Sequence, residues 1–483
     1  MVIRDSETEA EEQSDRRFLA FIDTLMPVLT HPAQEDSLRA YCTGLCLENG
    51  RKSMEPIAAN LAPKRTQAAH EALQNFITDA PWSADALLDS VREYTLPHMI
   101  AQAPIQAWII DDTGMPKKGK HSVGVAHQYC GQLGKQANCQ VAVTLSVANE
   151  DVSLPIAYRL YLPKEWADDQ ERRKRAGVPD DIMFATKQNI ALEQIHTARV
   201  AGVPNGVVLA DAGYGNDSAF RDRLTALDIP YAVGVSNDMT AWPPGITPLP
   251  PKKWNGRGRR PTNLRRNTRR KPLSVKKIAM SLPADSYQTV KWREGTSKEL
   301  SSRFAAVRVR AAQKETKKQR SEEWLIIEWP ENEKEPTKYI LSTLPDSIDL
   351  AELVRIAHLR WRIERDFQEL KDELGLNHFE GRKWRGFHHH AALCIATYGF
   401  LVAERSRFSP SGYCSVSLPE LSANHRSCQS SDHHGTPQSR ILTLAKTAPG
   451  ISNRQTLGAV SVLQAPEPTR NKRSSKRTRA ETQ

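Results

Sequence analysis

Apolar positions follow different rules in successive parts of the chain. From residue 16 to 110 they recur at three- and four-residue intervals, as Phe18, Phe21, Ile22 and Leu25, then Leu73, Phe76 and Ile77. That is the period of one face of an α-helix. Asn60 to Gln67 interrupts the run with proline and lysine, and Ser83 stands as an N-cap ahead of a further predicted helix, SADALLDSVREYTL. At Ala107 the pattern changes to short apolar runs bounded by acids and turns: AWIIDDTG, His121 to Gln128, Asn138 to Val147, Pro155 to Leu162, GVVLADAGYG and YAVGVS. These read as strands, with helices over Ile190 to Ala201 and Ser218 to Leu227. The alternation predicts an α/β domain with a mixed sheet. Strand patterns then dominate from Asn237 to about Pro345, at Phe304 to Arg310, Trp324 to Trp329 and Tyr339 to Leu341. Helical periodicity returns over Leu350 to Leu374, where Leu353, Ile356, Ile363, Phe367, Leu370 and Leu374 form one apolar stripe. The apolar run from Ala391 to Ala403 falls short of the roughly twenty residues a membrane span needs, so it reads as a buried helix.

The pattern divides the chain into an acidic, disordered start (1–16), a helical unit (17–104), an α/β domain in two parts (105–236 and 346–408), a β-rich basic insertion (237–345) and an irregular basic tail (409–483). The first seventeen residues are acidic and polar, unlike an export signal, and a cytoplasmic protein, nucleoid-associated when bound to DNA, is the expectation. Seven scattered cysteines fit a reducing compartment. Cys42 and Cys46 lack a second pair for zinc and read as core thiols.

Charge narrows the partner. The chain carries a formal net charge of +11, which favours a polyanion. The excess is concentrated: Pro250 to Ala284 holds no acid, and Lys252 to Lys277 holds twelve Lys or Arg. Arg257, Arg259, Arg260, Arg265, Arg266, Arg269 and Arg270 in this loop are candidate phosphate contacts that add salt-sensitive affinity. Lys117, Lys118 and Lys120, close after the first acids, and Arg382 and Lys383, ahead of the apolar run, are further candidates. For each, a solvated surface is the competing reading. The consecutive His388, His389 and His390 do not converge on one ion when helical, and are assigned to packing and DNA contact.

Three acids carry the candidate chemistry. Asp111 or Asp112 in IIDDTG, and Asp211 in VVLADAGYG, follow apolar strand runs, where polar side chains emerge into a cleft. Strand alternation sends Asp111 and Asp112 to opposite faces, so only one serves a given site. Glu364 lies along the edge of the apolar stripe, with Arg360 one turn before it and Lys371 two turns after. Ordinary surface ion pairs produce the same spacing.

The spacing of Arg360, Glu364 and Lys371, with RWRIERDFQELK, GLNHFEGRKWRGFHHH, LADAGYG and DDTGMPKKGKHS, resembles the DDE transposases of bacterial insertion sequences, in the branch with a Tyr–Arg–Glu–Lys helix signature. Ala357 stands where that signature has tyrosine. The resemblance extends over roughly residues 20 to 405. It implies an RNase H-like catalytic domain interrupted by a mainly β insertion, with an α-helical N-terminal domain. It also implies Asp111, Asp211 and Glu364 as catalytic acids, and metal binding by Asp111, Asp112, Asp211 and Glu364. Two Mg²⁺ ions, replaceable by Mn²⁺, are implied, with transposon-end phosphates on Arg360 and Lys371 and a homodimer on paired DNA ends. The competing readings are a DNA-binding remnant or repressor without catalysis, an RNase H-like resolvase, and a hydrolase of neutral substrates.

Overall fold

The computed structural model describes residues 2–47, 50–293, 300–312 and 319–408. The basic tail from 409 and the cysteines at 414 and 428 lie outside the described residues. Helices fill the N-terminal quarter: Val2–Leu25, Glu35–Leu45, Met54–Leu61, Thr66–Thr78 and Ala84–Gln102. The break expected at Asn60 to Gln67 falls between the third and fourth, where Pro63–Arg65 forms a short 3-10 turn. Ser83 caps the fifth by accepting a hydrogen bond from the Ala86 amide. The first helix begins well ahead of the residue-16 start that the apolar spacing indicates.

Among the described residues twelve strands follow, all in one sheet. They are β1 (Ala107–Pro116), β2 (Ala126–Cys130), β3 (Lys135–Ala148), β4 (Ser153–Leu160), β5 (Val207–Ala210) and β6 (Tyr231–Val235). Next come β7 (Thr240–Trp242), β8 (Leu273–Ser274), β9 (Gln288–Arg293), β10 (Leu300–Ala311), β11 (Glu323–Glu328) and β12 (Lys338–Ser342). The order is β2-β3-β1-β5-β6-β12-β11-β10-β7-β8, with β4 on β3 and β9 on β10. Only β1–β5 and β5–β6 pair in parallel. The segment between residues 237 and 345 therefore extends the sheet, joined through the antiparallel β6–β12 pair.

Two layers of apolar side chains cover the sheet, and β1 divides between them by alternation. Trp108 and Ile110 pack into the larger core, with the N-terminal helices and the long Trp384–Phe408 helix. Ala107 and Ile109 pack into the other, against Leu353, Val354, Ile363 and Phe367. By the same period, Asp111 belongs to the second face and Asp112 to the first. The helix expected over Leu350 to Leu374 is broken. It forms as Leu350–His358 and Trp361–Asp372, with Leu359 and Arg360 in a turn between them. Leu353, Ile363 and Phe367 keep to the second face across the break, while Leu370 and Leu374 join the larger core.

Candidate active site

Register brings the first two acids together. Ile110 on β1 is opposite Ala210 on β5, the last pair of that parallel ladder. Asp111 and Asp211 are therefore the next residues on neighbouring strands, which run about 4.8 Å apart. Asp111 does not end its strand as the sequence pattern indicates. β1 continues to Pro116, paired on one side only with β3, Asp111 lying opposite Thr144. Asp211 leaves β5 and caps the Ala212–Gly215 turn of helix, accepting from the Gly213 amide at 2.8 Å.

The third acid is attached through an arginine. Arg360 donates to Asp111 Oδ2 at 2.6 Å and to Glu364 Oε1 at 2.8 Å. Asp111 is largely sheltered, its side chain 17 % exposed, and Glu364 is open to solvent at 63 %. Burial pushes the Asp111 carboxyl up to about 6; Arg360 opposes this, and the charges of Asp211 and Asp112 add to it. Lys371 donates to the Gly114 carbonyl at 3.2 Å, further along β1. Burial lowers its pKa.

Asp112 has other partners. Its carboxylate meets Lys187 Nζ at 2.5 Å and accepts from the buried Tyr214 hydroxyl. Burial, with Asp112 close by, pushes the Tyr214 phenol well above its ordinary value, so it remains a donor. Neither Lys187 nor Tyr214 is marked by the sequence pattern. Tyr214 stands inside the LADAGYG segment, and that was the available signal.

The donors fit a hard divalent cation in type, since all are carboxylate oxygens. The like charges crowded at Asp111 are also what such a cation relieves. Arg360 meanwhile holds Glu364, and among the described residues no three His, Cys, Asp or Glu side chains are arranged to hold a metal ion.

The remaining cations fall into separate groups. Lys117 donates to the Phe379 carbonyl at 2.7 Å, and burial pushes it down to about 8. Lys118 and Lys120 are exposed. Lys120, Arg382 and Lys383 line a cleft of about 520 Å³ with Arg172 and Arg175, two arginines that sequence reasoning passed over. Lys383 also pairs with Asp79 at 2.7 Å. In the basic loop Arg257, Arg259, Arg260, Arg265, Arg266, Arg269 and Arg270 are all exposed. Arg265 is tied to the Pro250 carbonyl at 2.8 Å and Arg266 lies 5.7 Å from the Trp242 ring centre.

His389 and His390 are buried and His388 half-buried. His388 accepts from the Leu160 amide and faces the Trp384 carbonyl. His389 stacks on Trp82, and His390 bridges Tyr41 and the Gly375 carbonyl. They pin the last helix to its neighbours. Cys42, Cys46, Cys130, Cys139 and Cys394 are buried free thiols. Among the described residues no helix is long and apolar enough to cross a membrane.

Two aspartates set side by side by parallel strands, with a glutamate reached through an arginine, define an acidic site on a mixed sheet. The chain belongs to the family of DDE superfamily endonucleases, whose profile matches residues 24–299. That span includes Asp111, Asp211 and the basic loop and ends before Arg360 and Glu364. The chain is also similar to a probable transposase for insertion sequence element IS701 of Microchaete diplosiphon, at 31 % identity over 189 residues. The similarity takes in 39 % of this chain and 45 % of that relative.

Proposed function

We propose that the chain is a DNA transposase of an insertion sequence, cleaving phosphodiester bonds at the element's ends and passing the freed 3′-hydroxyl to target DNA. The observation that carries this is the register Ile110–Ala210, which sets Asp111 beside Asp211, with Glu364 linked to Asp111 through Arg360. The antiparallel run β4-β3-β1, continued by parallel β1-β5-β6, supports an RNase H-like reading of the catalytic part.

Asp111 and Asp211 would hold divalent metal, Mg²⁺ or Mn²⁺ in its place, joined by Glu364 once Arg360 has turned to another anion. Two such ions supply charge stabilisation on the entering and leaving oxygens of an in-line displacement. Arg360 presents a planar fork matched to a phosphate as well as to a carboxylate, so a DNA phosphate competes with Asp111 and Glu364 for it. Lys371, held at Gly114, adds a cation beside the same strand. Asp112, engaged by Lys187 and Tyr214 on the opposite face, fixes β1 and leaves Asp111 as the reactive member of the pair. Lys118, Lys120, Arg382, Lys383 and the arginines of the basic loop track the DNA backbone. Two copies of the chain assemble on paired ends.

The test is cleavage and joining of labelled DNA carrying the element's ends, with Mg²⁺ or with EDTA, for the wild type and Glu364→Gln. Metal-dependent cutting and joining, lost in the variant while DNA binding persists, is the expected result. Tight end binding with no cutting by either protein would replace this reading with that of a DNA-binding remnant.

A further inference from the structure

Asp366 is fully buried on the helix that carries Glu364. An unpaired carboxylate in such a place is costly, and this one is surrounded by hydroxyls from three elements. Ser153 of β4 donates to Oδ1 at 2.5 Å, Tyr398 of the last helix to Oδ1 at 2.9 Å, and Ser146 of β3 to Oδ2 at 3.1 Å. Ser146 lies opposite Ile109 on β1, two residues before Asp111 and on the same face. It also lies where the β3–β4 register shifts, between Leu145 and Ser146. Such irregularities re-aim a side chain.

The helix is tied to β1 by the Arg360–Asp111 and Lys371–Gly114 bonds, both made by long, flexible side chains. Arg360 occupies its N-cap position in helical conformation, without a side-chain cap hydrogen bond. Its apolar contacts, Ile363, Phe367 and Leu370, oppose separation from the sheet more than rotation about the helix axis. Residues two apart point roughly 200° from one another around a helix. Asp366 thus reaches into the sheet while Glu364 faces the opposite way, and the three hydroxyls set the helix's rotation. A rotation of about 20° moves a carboxylate roughly 2 Å at the helix's outer radius, and a misplacement of about 1 Å is enough to cost on the order of 100-fold in rate.

We propose that Asp366 is a positioning residue for the acidic site: by accepting from Ser146, Ser153 and Tyr398 it fixes the rotation of the Trp361–Asp372 helix, and with it where Arg360 and Glu364 meet Asp111. This rests on the reading of Asp111, Asp211 and Glu364 as the reactive acids. Asp366 itself touches neither DNA nor metal.

The experiment uses the full-length chain, with wild type, Asp366→Asn and Asp366→Leu compared by thermal unfolding, DNA-end affinity, single-turnover cleavage at saturating DNA, and Mn²⁺ binding read by electron paramagnetic resonance. Asp366→Leu is expected to hold DNA within about twofold of wild type, to cleave on the order of 100-fold more slowly, and to bind Mn²⁺ about tenfold more weakly. Asp366→Asn still accepts from a hydroxyl and is expected to recover most of the Mn²⁺ affinity. Should Asp366→Leu fail to fold, Ser153→Ala reads the same quantities with the carboxylate kept. Unchanged Mn²⁺ affinity in the folded variants, with cleavage reduced only in proportion to folded protein, overturns the positioning role. A wild type that neither cleaves DNA nor binds Mn²⁺ overturns the acidic-site reading and this proposal with it, an outcome distinguishable from a wild type that does both beside an unaffected Leu variant.

Discussion

Gly215→Ala tests whether the turn after Asp211 is as closely seated as its contacts indicate. A Cβ at Gly215 would fall 1.9 Å from the Gly234 carbonyl oxygen and 3.0 Å from Val233 Cβ. An ordinary carbon–oxygen approach is about 3.3 Å, so backbone must give by roughly 1.4 Å. Retreat on the other side is limited, because Gly234 lies against the turn as well, its own Cβ position being 3.1 Å from the Ala212 amide nitrogen. Overpacking of this kind costs about 3 kcal/mol. Alanine recovers about 1 kcal/mol through its better helix propensity and the smaller entropy of its unfolded chain. The net loss is about 2 kcal/mol. At about 2.1 cal/mol/K per residue, a cooperative unit of roughly 400 residues loses only about 2–3 °C in Tm for that. Cleavage is the more sensitive readout: shifting the Asp211 turn by about 1 Å should slow it on the order of 100-fold. The assay is single-turnover cleavage of end DNA beside a thermal melt. Cleavage within threefold of wild type at unchanged Tm would refute the close seating.

Three further outcomes are expected. Arg360→Gln removes the guanidinium shared by Asp111 and Glu364, so Mn²⁺ affinity of the DNA-free protein should rise severalfold while end-DNA affinity falls; unchanged Mn²⁺ affinity would count against the bridge. Replacing Arg257, Arg259, Arg260, Arg269 and Arg270 by Gln should flatten the dependence of log K on log salt by about 0.9 for each phosphate the loop no longer neutralises, and a slope equal to wild type would remove the loop from the DNA interface. Acid should destabilise the fold through its histidines: burial pushes His388, His389 and His390 down to about 4, with the cationic neighbours Arg159, Arg385 and Lys117 acting in the same direction. The unfolded chain, titrating near the ordinary 6.5, then binds protons that the folded one refuses. This stability is complete above about 6.5 and is lost as pH falls toward 4, at up to about 3 kcal/mol per histidine. His389 contributes least, because both its ring nitrogens face carbonyls, of Ile77 and Trp82, an arrangement that favours the protonated ring. Melts between pH 7.5 and 5 in which Tm stays level would contradict this.

The sequence made some of these features visible and hid others for identifiable reasons. AWII and VVLA were legible as strands because both faces are buried, leaving continuous apolar runs that stop at an acid. The nearness of Asp111 to Asp211 was implied only by the family resemblance and not by the pattern, since it arises from the β1–β5 pairing of segments about a hundred residues apart. The helix break at Leu359 and Arg360 leaves no trace in the periodicity, because both halves present apolar residues to the same layer. β7 and β8, of three and two residues, are too short to show any period. Lys187 fell ahead of the helix expected from Ile190, and Asp366 looked like an ordinary polar residue of an amphipathic helix. Only the fold shows that one meets Asp112 and the other lies at the centre of a buried hydroxyl cluster.

The salt links around β1 also govern how the protein meets a polyanion before any metal is bound. On the proposed reading, Asp111, Asp211 and Glu364 without their cationic partners would present DNA with a repulsive spot at the site of cleavage. Arg360 lies against Asp111 and Glu364, Lys371 stands further along the same strand, and on the opposite face Lys187 answers Asp112. On the face of the acidic site three negative groups thus meet two positive ones, and within a Debye length of about 8 Å much of the repulsion cancels. On that reading the resting protein would accept a phosphate backbone over these acids, and its net charge would draw that backbone in from a distance.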